Sequence, residues 1–107
     1  MISSSAKSPT VAAVSARVSK GALIVELSDG RRVSAPIAWF PRLAHGTAKE
    51  RNRWRLIGRG HGIHWPDLDE DISVENLLAG HRSAESRFSL RRWLDARRPR
   101  SSRRRTA

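Results

Sequence analysis

Apolar and polar positions change rhythm several times along this chain, and each rhythm predicts a different element. Val14, Ala16 and Val18 alternate with Ser15, Arg17 and Ser19, the period of a half-buried strand. Lys20-Gly21 can turn the chain. Leu23, Val25 and Leu27 then share one face, with Glu26 on the other. Asp29-Gly30 is the strongest hairpin signal in the sequence, because glycine takes positive φ at little cost. Arg32 to Ala35 return as a third strand with Val33 facing inward. The reading is an antiparallel β-meander.

Past Pro36 the spacing lengthens. A helix is predicted from about Trp39, with Pro41 tolerated in its first turn, where the missing amide has no acceptor to lose. Trp39 and Leu43 fall on one face with Phe40 flanking, and His45-Gly46 stops the helix. Thr47 and Glu50 have the spacing of a capping box, which predicts a second short helix over 48–53. Trp54, Leu56 and Ile57 open a further strand. Residues 58–62 hold three glycines, so a turn follows, and Ile63 and Trp65 resume the strand before Pro66. Ser73 can cap a brief helix through Leu77 and Leu78 that Gly80 ends. Ser83 is read as the cap of a last helix from Ala84 to about Arg97, with Leu90 and Leu94 at i and i+4 and Pro99 as its stop.

The expected fold is therefore α+β: an N-terminal antiparallel β-meander, short helices, a second hairpin-like strand pair and a C-terminal helix. Residues 1–10, polar and containing Pro9, are expected to be a disordered N-terminus. Residues 11–95 are expected to form one α+β domain. Residues 96–107 are expected to be a disordered arginine-rich tail. A chain of 107 residues can bury only a modest core. It contains no cysteine, which excludes disulfides and thiolate metal sites and favours a reducing, cytoplasmic setting. No run approaches the roughly 20 apolar residues of a membrane span. Residues 1–25 lack acids and are rich in Ser and Ala, as targeting peptides are, but Ser15 and Arg17 interrupt the apolar run. A frayed terminus is the simpler reading.

Charge sharpens the picture. The net charge is +11, from 21 basic and 10 acidic residues. Residues 61–80 carry five acids and no Lys or Arg, while residues 39–60 carry six bases and Glu50 alone. Ten further bases follow residue 80. Such an excess favours polyanionic partners and does not define the fold. All but three of the bases are arginine, a bias that genomic base composition alone could produce.

Three strings, in order, resemble a known family: LSDGRRVSAPIAWFPRL, NRWRLIG and GIHWPDLDEDISVENLLAG. They are similar to domain-of-unknown-function family 2442, a family of small bacterial α+β proteins, over roughly residues 12–95. The resemblance implies an N-terminal meander and no established enzymatic activity. It also implies relatives encoded beside small partner proteins in toxin–antitoxin-like pairs, and others fused to a helix-turn-helix domain. This chain has no room for the latter. Its serine-rich start and arginine tail also fall outside the shared core.

The densest candidate chemistry is His61, His64, Asp67, Asp69, Glu70 and Asp71. Imidazole and carboxylate can hold zinc or manganese or move protons. His61 and His64, however, straddle a glycine turn where no helix aligns them, and the acids alternate with Pro66, Leu68 and Ile72 as on a solvated strand. No nucleophile elbow or phosphate loop is present. No catalytic, metal or cofactor site is expected.

Two surfaces remain as candidates. Asp67, Asp69, Glu70 and Asp71 could pair with the neighbouring basic segment or form the docking surface of a protein partner. Arg97, Arg98, Arg100, Arg103, Arg104 and Arg105 could follow a nucleic-acid backbone in a salt-sensitive, sequence-tolerant way, or simply solvate the terminus. Four tryptophans, two of them beside arginines as in Arg53-Trp54-Arg55 and Arg91-Arg92-Trp93, could stack bases. Core packing is their commoner use. The expectation is a non-enzymatic binding module, antitoxin-like or regulatory, acting on a protein. Nucleic-acid binding through the tail is the alternative.

Overall fold

A computed structural model of the chain describes residues 11–97. The expectations for residues 1–10 and for the tail beyond Arg97 lie outside the described residues. The first three strands, β1 (Ala13–Ser19), β2 (Ala22–Leu27) and β3 (Arg32–Pro36), form an antiparallel sheet in the order β1-β2-β3. Lys20 and Gly21 both take positive φ, 45° and 79°, so the first hairpin turns in the sense that matches strand twist. At the second turn the Asp29 carboxylate accepts bonds from the Arg31 backbone N–H at 3.0 Å and from Arg31 Nε at 2.7 Å. Leu23, Val25 and Leu27 are buried, as their alternation predicts.

β1 departs from its predicted phase. Its register shifts between Ala13 and Ser15, which face Leu27 and Glu26 in turn. Val14 is the extra residue of a bulge. A bulge places two residues against one and reverses the inside–outside alternation upstream of it. Ala13 is buried in place of Val14, and Val14 is left 53% exposed.

A 3-10 turn over Ile37–Trp39 leads into α1 (Pro41–Ala44) with Pro41 at its first position. The helix therefore starts two residues later than its spacing predicts, and Phe40 rather than Trp39 is the fully buried aromatic beside Leu43. α2 (Ala48–Arg51) is shorter than the predicted 48–53. It begins with the expected capping box, in which Thr47 Oγ1 accepts from the Glu50 N–H at 3.1 Å and the Glu50 carboxylate accepts from the Thr47 N–H at 2.9 Å.

The second sheet has the order β4 (Arg55–Ile57), β5 (Gly62–Trp65), β6 (Glu70–Ser73), again antiparallel. It has one strand more than the predicted pair, because the acidic run turns after Pro66 and returns as β6. α3 (Val74–Leu78) follows directly, capped by Ser73 Oγ accepting from the Asn76 N–H at 2.9 Å. The last helix, α4 (Arg87–Arg97), starts three residues after the predicted Ala84. Ser86, not Ser83, accepts from the first-turn amide of Ser89, while Ser83 accepts from the Glu85 N–H in the preceding turn.

One apolar cluster joins both sheets: Leu23, Val25 and Leu27 from the first, and Ile63, Trp65 and Ile72 from the second, with Phe40, Leu43, Leu68, Val74 and Leu77. Trp65 is wholly buried, and its indole N–H donates to the Arg51 carbonyl at 3.1 Å, so the one polar atom of the ring is satisfied. Among the described residues no helix is long and apolar enough to cross a membrane.

Candidate partner-binding surface

The acidic segment runs from the turn at Asp67 into β6, and the pleat of that strand sorts its side chains. Ile72 points into the core, so Glu70, two residues earlier, lies on the same face. It stands opposite the buried Trp65. Burial pushes the Glu70 carboxyl up to about 7, against the pull of the Arg42 guanidinium and with help from Glu85, Asp71 and Asp69. Near neutral pH it is partly protonated, so the segment carries less negative charge than its letters suggest. The sequence pattern places Glu70 among the solvated acids, but the strand turns it inward, half-buried. Its parity with Ile72 was the available signal.

The other three acids have partners. Asp67 accepts from Arg53 at 2.9 Å. Asp69, 87% exposed, lies 3.6 Å from Arg42. Asp71 contacts Nδ1 of His64 across the strand pair. Basic and acidic segments are thus drawn together within the fold. Exposed pairs of this kind are worth about 0–1 kcal/mol, so Asp69 and Asp71 remain available at the surface.

Arg42 is the hub that sequence reading missed. It makes a two-pronged pair with Glu85, at 2.8 and 2.7 Å, and also donates to the Asp69 carbonyl at 3.2 Å. These hydrogen bonds hold the Glu85 carboxyl below its ordinary value and raise that of Arg42. The two residues are 43 positions apart, and no spacing rule reaches that far. Two guanidinium groups approach the Trp93 ring, Arg42 at 4.9 Å and Arg97 at 4.6 Å from its centre, a favourable contact of cation with aromatic face.

Arg97 also donates to Glu50 at 2.8 and 3.1 Å. Together with the Thr47 amide bond, this holds the Glu50 carboxyl down to about 2. Of the six candidate nucleic-acid arginines, Arg97 is therefore engaged in fastening α4 to α2. Arg98, Arg100, Arg103, Arg104 and Arg105 lie outside the described residues. Trp39, Trp54 and Trp93 are half-buried against the core, and Arg82 lies 5.2 Å from the Trp39 ring centre.

The candidate metal or catalytic residues do not converge. His64 pairs with Asp71 and Asp67 with Arg53, while His61 borders a cleft of about 670 Å³ beside Val11, Val74 and Leu78. Among the described residues, no three His, Asp or Glu side chains gather as metal ligands would.

What the fold leaves at its surface is apolar as well as charged. Val14, Leu56, Ile57, Leu78 and Phe88 are all exposed, Phe88 by 70%. Among the described residues, β4 pairs only with β5 and β1 only with β2, so both are outer strands of their sheets.

Residues 13–83 match a family model described as "Protein of unknown function (DUF2442)". Two solved structures are similar. A protein of unknown function from Rhodospirillum rubrum is 27% identical over 70% of this chain and 93% of its own, with a TM-score of 0.62. An uncharacterized protein from Chromobacterium violaceum is 20% identical over 68% of this chain and 69% of its own, with a TM-score of 0.60. The second likeness is one of fold. No curated protein matches.

Proposed function

The chain belongs to the DUF2442 family of proteins of unknown function, and from that premise we propose that it is a non-catalytic binding module. In this reading it acts in the bacterial cytoplasm by contact with a protein partner, as the antitoxin-like or regulatory half of a small gene pair. The observation that carries the reading is the set of large apolar side chains left in solvent, three of them, Val14, Leu56 and Ile57, on strands that are outer strands among the described residues. Large apolar side chains in solvent are the raw material of association surfaces, and outer strands are templates for an added strand. Asp69 and Asp71 offer a second, acidic contact zone.

Affinity purification of the tagged full chain from its native host tests this. A specific co-purifying protein is expected, retained less well when Asp69 and Asp71 are both replaced by Lys. Recovery of the chain without any protein partner would overturn the reading. Glu70 is left out of the reversal because its carboxyl faces the core.

The alternative, nucleic-acid binding, draws support from Arg87, Arg91 and Arg92, which lie exposed on α4 and lead into the arginine-rich end of the sequence. Removing residues 98–107 spares the Arg97–Glu50 anchor. If the alternative holds, this truncation abolishes DNA or RNA retention on a shift gel, and unchanged retention excludes the tail.

A further inference from the structure

α4 holds to the fold by one face and turns a different chemistry outward. Trp93 packs against the core, and the Ser89 hydroxyl donates to Glu85 at 2.8 Å. The outward face is built from two adjacent rows. Arg91 stands one turn on from Arg87, and Arg92 one turn on from Phe88. All four side chains are exposed, and Phe88 keeps 70% of its surface in water. A ring so far out adds little to the core. The Arg92 guanidinium lies 5.8 Å from the ring centre, within the reach of a cation–π contact.

Charge on this face is mixed, with a basic surplus. Arg87, Arg91 and Arg92 form no ion pair among the described residues. Two acids border them. Asp95 follows Arg91 by one turn. Asp69 stands across an open cleft of about 360 Å³, which Phe88 and Arg92 share with Arg42, Ser89 and Trp93. Asp69 is itself answered by Arg42 at 3.6 Å. Beyond Arg97 the sequence adds five arginines and no acid.

We propose that the outward face of α4 is a binding platform for single-stranded nucleic acid. A base stacks on the Phe88 ring beside the Arg92 guanidinium, and the adjoining phosphates lie on Arg87 and Arg91. Every base has a π face, so such stacking tolerates any sequence. Other polyanions fit this face less well. A duplex keeps its bases stacked on one another and would engage only the arginines. An acidic peptide would likewise leave the ring in water. Lying in a lipid surface takes a broad apolar face, and Phe88 is the one large apolar side chain exposed on α4. The inference rests on the nucleic-acid reading, independently of the protein-partner reading, and gives it a site and a strand form.

The test titrates the full chain with three labelled probes: an oligo-dT, a dT·dA duplex of the same length, and an oligoglutamate of equal charge. Oligo-dT is expected to bind most tightly and to move the Phe88 ring-proton resonances upfield. Phe88→Ala should weaken oligo-dT binding about tenfold and leave the denaturation midpoint unchanged, while Phe88→Trp should retain the affinity. Arg87→Gln/Arg91→Gln should weaken binding and flatten its dependence on salt. Duplex or oligoglutamate binding as tight as oligo-dT would overturn the platform. Oligo-dT binding by Phe88→Ala at the parent's affinity would refute the platform while upholding the nucleic-acid reading. A parent chain that does not bind oligo-dT at all would refute both.

Discussion

Glu70 and Glu50 show how one residue type acquires opposite properties from its neighbours. Glu70 faces the core against Trp65, and its carboxyl rises to about 7 from an ordinary 4.5. Because the folded value lies above the unfolded one, its contribution is fully present below about pH 4.5 and is lost as pH climbs through 7. Urea titrations should show stability declining over that window in the parent chain, and Glu70→Gln should flatten the decline. Glu50, held near 2 by Arg97 and by the Thr47 amide, has the reverse sign. Its contribution is present above pH 4.5 and fades as pH falls toward 2. Glu50→Gln should shed part of the acid sensitivity. Trp65, buried with its indole N–H satisfied, is the anchor of the core, and Trp65→Ala should cost about 3–5 kcal/mol in chemical denaturation. Its burial was legible from its alternation with Ile63. The inward Glu70 was overlooked because four acids in five residues read as solvent-facing until the parity of Ile72 is imposed.

At the scale of elements, local chemistry and long-range packing divide the work. Short-range signals survive folding intact: Asp29-Gly30 turns a hairpin, Thr47 with Glu50 caps α2, and Ser73 caps α3. Thr47→Ala should cost about 1 kcal/mol, measurable as a lowered denaturation midpoint. What could not be read is whatever depends on partners far along the chain. The bulge at Val14 leaves no letter in the sequence, since it arises from how β1 meets β2 and from Gly60 pressing on Ala13. The start of α4 was misplaced because Ser83 and Ser86 are equally good caps on paper, and the Arg42–Glu85 pair fixes the preceding turn. α4 itself has no buried residue. It is held by half-buried Trp93 and by the pairs Arg42–Glu85 and Arg97–Glu50. Breaking a hydrogen-bonded charge pair by removing one partner strands the other. Glu85→Ala should therefore raise amide exchange throughout α4 and leave β2 and β5 protected.

On the scale of the whole molecule, the fold consumes most of its strong chemistry internally. Asp67, Asp71, His64, Arg42, Arg53 and Arg97 are paired with one another or with neighbouring groups. The apolar residues that could not be gathered into the joint core of the two sheets are left at the surface. On the function proposed above, a second chain would complete these exposed side chains. The most direct check is the mass of the endogenous protein in its native state, measured by native mass spectrometry on material isolated without a tag. The account predicts a complex heavier than the 12.0 kDa chain that dissociates into this chain and a different polypeptide. A species composed of this chain alone, or of this chain with nucleic acid and no second protein, would contradict it.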